Sequence, residues 1–283
     1  MLGGSLGLAA KQGRIAERVL GIGRNADRLK RAQALGAIDE FATEFDVIGP
    51  DCQMAVVCTP VGLVPKIVIE LAGRLPQGAV ITDVGSTKGK IVHEVAQRLP
   101  ADGAVRFVGS HPMAGSEKTG VESARTDLYQ GAACLVTPLD STPPESLERV
   151  EAFWKALKAR VIRLRPEEHD LLVATASHVP HLAAAALARL LGSEGGRRPA
   201  VYDVIGEGFR DSTRIAAGDP GMWRDICLNN REAIVQALDG FIRHLQEIRS
   251  AVAAEDAPAI EKQLAEGQAV RRRIDKDSGN APS

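Results

Sequence analysis

Short runs rich in Val and Ile alternate with helix-patterned stretches through the first 165 residues, and few architectures accept that rhythm. The order is "RVLGIG", "ADRLKRAQALG", "MAVVCTP", "VPKIVIELAGRL", "AVITDVG", "KIVHEVAQRL" and "RFVGSHP", then "ACLVTPL", "LERVEAFWKALKA" and "VIRL". Runs such as "MAVVC" and "AVITDV" are apolar at consecutive positions, as expected when helices cover both faces of a parallel sheet. The reading is a chain of βαβ units ending near Arg165. From Leu171 to about Val252, helical stretches rich in Ala and Leu continue without a convincing strand, broken at "SEGGRRP" and "GDPG". The expected organisation is α/β over residues 1–165, an all-helical domain over 166–270 and a loose polar tail over 271–283.

The opening "MLGGSLGLAAKQG" reads as the end of a G-x-G-x-x-G turn and the helix it opens, with Gly3 as the last glycine. Helix amides in such a turn face a pyrophosphate, which makes Gly3, Gly4 and Ser5 candidate cofactor contacts. A Gly-Gly helix start also occurs in unrelated proteins, so this stretch alone leaves both readings open.

Composition narrows the class of function. The chain has 283 residues, 45% hydrophobic and 25% charged, and a net charge of -1, which gives no global attraction to nucleic acid or to a membrane surface. Cys52, Cys58, Cys134 and Cys227 show neither C-x-x-C spacing nor a disulfide framework, which suits a reducing compartment. No signal peptide pattern and no uninterrupted apolar run of membrane length stand out, so the expectation is a cytoplasmic protein acting on small molecules.

Four stretches carry candidate chemistry. "GSTKGK", Gly85 to Lys90, lacks the spacing and the Ser or Thr after Lys that a Walker loop needs; Ser86 or Thr87 caps the next helix, or the loop meets a ligand at the sheet edge. "SHPMAGSEKTG" puts His111 directly after a predicted strand, as an acid/base facing the crevice or a solvent-facing loop histidine. In "ATASHVPHLAAAAL", His178 and His181 share a helix face, but no third ligand stands at a convincing spacing, so no metal is expected. "GEGFRDSTRIAAGDPGMWRDI" gathers Arg210, Asp211, Arg214, Trp223 and Arg224, either as a carboxylate grip or as a surface ion-pair cluster.

Together, "GGSLGLA", "CTPV", "DVGSTKG", "SHPMAGSEKTG", "SHVPH" and "GFRDSTRIAAGDPGMWRDI" resemble, in order and spacing, the prephenate and arogenate dehydrogenase family of tyrosine biosynthesis. The resemblance runs from Met1 to roughly residue 250. It implies a Rossmann-type domain followed by a helical domain that also forms a homodimer. It also implies oxidative decarboxylation of prephenate to 4-hydroxyphenylpyruvate, or of arogenate to tyrosine, with a nicotinamide cofactor. By the same resemblance His111 is the catalytic histidine, Ser86 lies near nicotinamide and ring hydroxyl, and Arg214 grips a substrate carboxylate. His181 and Glu117 line or gate the pocket, Thr59, Pro60 and Val61 lie against the cofactor, and Asp211 and Trp223 support the Arg214 segment.

Two departures from the family pattern matter. Where an NAD enzyme usually places an acidic residue for the ribose, this chain has Gly23 and Arg24, which weighs toward NADP over NAD, although Arg24 could simply open the next loop. The family's first strand and first two glycines are absent, so the natural start is expected about 15 to 25 residues upstream, the length of a strand and its turn. Two alternatives stand beside this reading: a prephenate binder that has lost the nucleotide, and a 3-hydroxyisobutyrate-type dehydrogenase. The latter group relies on a Lys in its helical domain, and none occurs between Leu171 and Val252.

Overall fold

The computed structural model describes residues 1–100, 103, 105–115 and 119–279. The chain begins in helix α1 (Leu2–Gln12) and proceeds through β1 (Leu20–Ile22), α2 (Ala26–Ala34), β2 (Glu40–Ala42), β3 (Met54–Val57), α3 (Val64–Ala72), β4 (Val80–Asp83) and α4 (Gly89–Arg98). There follow β5 (Arg106–Phe107), β6 (Gly109–Pro112), β7 (Ala133–Thr137), α5 (Pro144–Ala156) and β8 (Arg160–Arg163). After β8 the described residues form helices α6 (Pro166–Val173), α7 (Val179–Gly195), α8 (Glu207–Thr213), α9 (Pro220–Asn229), α10 (Arg231–Ala253) and α11 (Ala257–Gly279).

The expected βαβ rhythm is present, with departures. β1 pairs in parallel with β2, and β4 pairs in parallel with both β3 and β5, but among the described residues the strands form three sheets rather than one. "RFVGSHP", expected as a single strand, is interrupted at Val108 to give β5 and β6, and β6 runs antiparallel to β7. β4 is buried at all four positions, as its apolar sequence predicts, whereas Met54 to Val56 of β3 are only half-buried. The cause is pairing: β4 has a partner on each edge, and β3 on one.

Close approach fixes the first helix. A Cβ on Gly7 would run into the backbone oxygen of Ala37, so α1 lies directly on the turn after α2. Tyr129 and Trp154, both fully buried, meet edge to face with centroids 5.4 Å apart. Tyr129 Oη donates to the Leu2 carbonyl at 2.9 Å, and Trp154 Nε1 donates to Ser110 Oγ at 2.9 Å. Ser110 in turn donates to the Asp83 carbonyl at 2.6 Å and its amide donates to Asp83 Oδ1 at 3.1 Å. These bonds fasten β6 to β4 and thereby set the position of the next residue, His111.

By compactness the chain divides between Arg231 and Glu232. The helices from Pro166 to Asn229 belong with the sheets because Asp170 on α6 bonds the start of α4 and α9 packs on the turn Val61–Leu63. The tail expected to be loose from residue 271 continues α11 as far as Gly279. Pro166–Gly195 is long and apolar enough by length and composition to cross a bilayer, which the sequence reading did not anticipate. His169, Asp170, His178 and His181 are buried along it.

Candidate active site

A proline places a widened turn between α6 and α7. Pro180 has no amide to donate, and residues Ala174–His178 adopt a π turn in which the Val179 amide reaches the Ala174 carbonyl. Around this turn lie His169, Asp170, His178 and His181.

The loop after β4 is organised from a distance. The sequence suggested Ser86 or Thr87 as the cap of α4; instead Lys88 stands at the N-cap, and its side chain makes no capping bond. Asp170 takes that role from 82 positions along the chain: the Lys88 amide donates to Oδ1 at 2.7 Å and the Gly89 amide to Oδ2 at 2.9 Å. Lys88 Nζ is paired with Asp83, and both side chains are fully buried. Ser86 is half-buried between these anchors.

His111 lies in β6 itself rather than in a solvent-facing loop, and is 9% exposed. Its Nδ1 is 2.9 Å from His169 Nε2, and His169 Nδ1 is 2.8 Å from Asp170 Oδ1. Burial, then the neighbouring His169, Lys88 and His178, hold the His111 imidazole well below its ordinary pKa, so it is neutral near pH 7. Asn230 Nδ2 joins the Asp170 carbonyl at 2.9 Å to His178 Nδ1 at 3.2 Å. The His178 ring meets Trp223 edge to face, and Trp223 stacks on His181 with centroids 3.5 Å apart and planes 9° from parallel. A Cβ on Gly218 would come within 2.6 Å of Trp223 Nε1 and 3.1 Å of His181, so only glycine fits against that stack. His181 also bonds the backbone of Ile215, next to Arg214, which is exposed at the start of the turn Arg214–Ala217.

The remaining predicted residues fall as follows. Gly3 and Gly4 form the first turn of α1, where a Cβ would meet Cys58 at 3.2 Å or Val121 at 2.8 Å. Ser5 is fully buried and its hydroxyl accepts from the Arg125 amide at 3.0 Å, holding the 119–130 segment to α1. Thr59, Pro60 and Val61 form the turn between β3 and α3, and Arg24 is exposed in the bend between β1 and α2. Glu117 lies outside the described residues. His169, Asp170 and Asn230 join His111 and His178 in this network and were not singled out from sequence, where only the "HD" pair in "RPEEHD" had chemistry to notice.

The hydroxyls of Thr59 and Thr87 are buried without a hydrogen-bond partner among the described residues. Both follow parallel strands paired in register, Val57 with Asp83, so both loops leave the same carboxyl edge, where open α/β sheets bind ligands. Together with the uncapped first turn of α1, these donors fit an anionic, hydroxyl-rich dinucleotide. Among the described residues no group of three His, Cys, Asp or Glu is arranged to hold a metal ion.

In sequence and fold the chain is similar to known proteins. The profile described as "Prephenate dehydrogenase, nucleotide-binding domain" matches residues 6–163, and "Prephenate dehydrogenase, dimerization domain" matches residues 165–266. The chain belongs to the prephenate dehydrogenase family. Within that family, the prephenate dehydrogenase of Bacillus subtilis (strain 168) is 37% identical over 91% of this chain and 69% of its own length. The cyclohexadienyl dehydrogenase of Zymomonas mobilis is 29% identical over 89% of this chain and 85% of its own length. Among solved structures, the prephenate dehydrogenase from A. aeolicus in complex with hydroxyphenyl propionate and NAD+ superposes with a TM-score of 0.89 at 33% identity, covering 96% of this chain and 94% of that one.

The buried histidines give the fold an acid limit. His178, 1% exposed, has its pKa pushed down to about 4, chiefly by burial. Unfolding restores the ordinary value of 6.5, so below pH 6.5 the unfolded chain binds the extra proton and stability falls as pH drops toward 4. The loss expected from His178 alone is about 2 kcal/mol by pH 5, with His111 and His169 adding in the same direction. Urea midpoints at pH 7 and pH 5 measure it; equal midpoints would contradict the neutral assignment.

Proposed function

We propose that this chain oxidises and decarboxylates prephenate to 4-hydroxyphenylpyruvate, works in the cytoplasm as a homodimer, and favours NADP+ over NAD+. The observation that carries the reading is His111: a buried, neutral imidazole held by His169 and belonging to the same compact unit as the Thr59 and Ser86 loops. Family membership supports the reaction class. The cytoplasmic assignment is supported by four cysteines that remain free thiols, and the homodimer by the dimerization-domain match.

In this mechanism Arg214 binds a substrate carboxylate through its planar fork of donors, while His181, stacked on Trp223, fixes the segment that carries it. The first turn of α1, with Thr59, Pro60, Val61 and Ser86, holds the dinucleotide. A bound nicotinamide supplies the hydride acceptor. His111 accepts the proton of the ring hydroxyl as the hydride leaves the carbinol carbon. The ring carboxylate departs as CO2, its bonding pair makes the ring aromatic, and His111 returns the proton to the phenolic oxygen. Ser86 orients the hydroxyl.

Arg24 follows β1 at the position that meets the ribose in such folds, and its guanidinium suits a 2'-phosphate. Initial rates with prephenate and arogenate against NAD+ and NADP+ test the finer assignments. The expected result is the highest kcat/KM with prephenate and NADP+, and a shift of about tenfold toward NAD+ in Arg24→Ser. Equal use of both cofactors unaffected by that substitution would remove Arg24 from the site, and faster turnover of arogenate would reverse the substrate assignment.

A further inference from the structure

We propose that Asp170 and His169 are a positioning pair that fixes the His111 proton on Nδ1 and leaves Nε2 as the bare acceptor. The inference rests on the reading of His111 as the catalytic base. It follows from donors and acceptors taken in order. Backbone amides only donate, and those of Lys88 and Gly89 point at Oδ1 and Oδ2 of Asp170, so both oxygens of this carboxylate are acceptors. His169 Nδ1, 2.8 Å from Oδ1, must therefore carry a proton. Burial keeps the His169 imidazole neutral, so its Nε2 has none and accepts. His111 Nδ1, 2.9 Å from that nitrogen, must then donate, and a neutral His111 has its lone pair on Nε2.

The arrangement has a mechanical side as well. The same carboxylate that sets this tautomer also caps α4, so one residue anchors both the base and the loop carrying Ser86 and Thr87. An unrestrained imidazole samples both tautomers, and the form protonated on Nε2 cannot take a proton there.

The test is nitrogen NMR of the full chain with 15N-labelled histidine near pH 7.5, the His111 signals being identified by their loss in His111→Asn. The expected spectrum has a protonated Nδ1 and a bare Nε2 for His111. In His169→Phe, both tautomers should appear, with kcat lowered at least about tenfold and KM for prephenate changed less than about twofold. A His111 protonated on Nε2 in the unsubstituted protein would overturn the proposal, and so would a His169→Phe enzyme whose kcat stays within twofold. Should His169→Phe fail to fold, the spectrum of the unsubstituted protein decides alone. An Nδ1-protonated His111 in a protein that turns over no substrate would uphold the pair and reject the catalytic reading.

Discussion

Replacing His111 by Asn lowers kcat by a factor on the order of 100 to 10,000 while leaving the dissociation constant for prephenate nearly unchanged. Asn matches the shape of the imidazole closely enough to stay within reach of His169, yet it has no lone pair basic enough to hold a proton. The loss falls on the transition state, where the hydroxyl proton must move, and not on ground-state binding. Steady-state kinetics and a separate binding titration check both halves. A variant that retains turnover within a few-fold would show that proton removal takes place elsewhere.

Replacing Arg214 by Ala weakens prephenate binding by about 2 to 4 kcal/mol, or about 30- to 1,000-fold in dissociation constant. A carboxylate that loses a bidentate guanidinium keeps its desolvation penalty and gives up two charge-assisted hydrogen bonds. The segment is held independently of the guanidinium, by the His181–Trp223 stack, by Gly218 against it and by the bond from His181 to Ile215, so the fold should survive the change. Calorimetric titration of prephenate into Arg214→Ala measures the effect. Unaltered affinity would place the substrate carboxylate on another cation.

How far the sequence led depends on how local each feature is. β4 announced itself because both of its faces are buried and consecutive apolar residues are required there. The end of α7 and the start of α9 were legible because Gly195 and the Asp219–Pro220 cap act within one turn. β2 was missed, since Glu40–Ala42 is short and without alternation, and the last turns of α11, from Arg271, were read as a polar tail because charged residues dominate them. The cap of α4 could not be read at all: Asp170 meets Lys88 across 82 positions, and such a hydrogen bond leaves no periodicity in the chain. His111, His181, Arg214 and Ser86 each stood out in their own stretch with a local explanation as good as the functional one, and only the combined family pattern gave each a single role. The pair behind His111 escaped for the same reason as the helix cap, because a carboxylate that serves a distant backbone resembles any surface aspartate in one dimension.

The most direct measurement follows prephenate, nicotinamide reduction at 340 nm and CO2 release together in one reaction of the purified chain. The account predicts one reduced cofactor and one CO2 for each prephenate consumed, with 4-hydroxyphenylpyruvate as the organic product. Prephenate that binds the protein but is not consumed with either NAD+ or NADP+ would contradict it and leave a binding protein in place of an oxidoreductase.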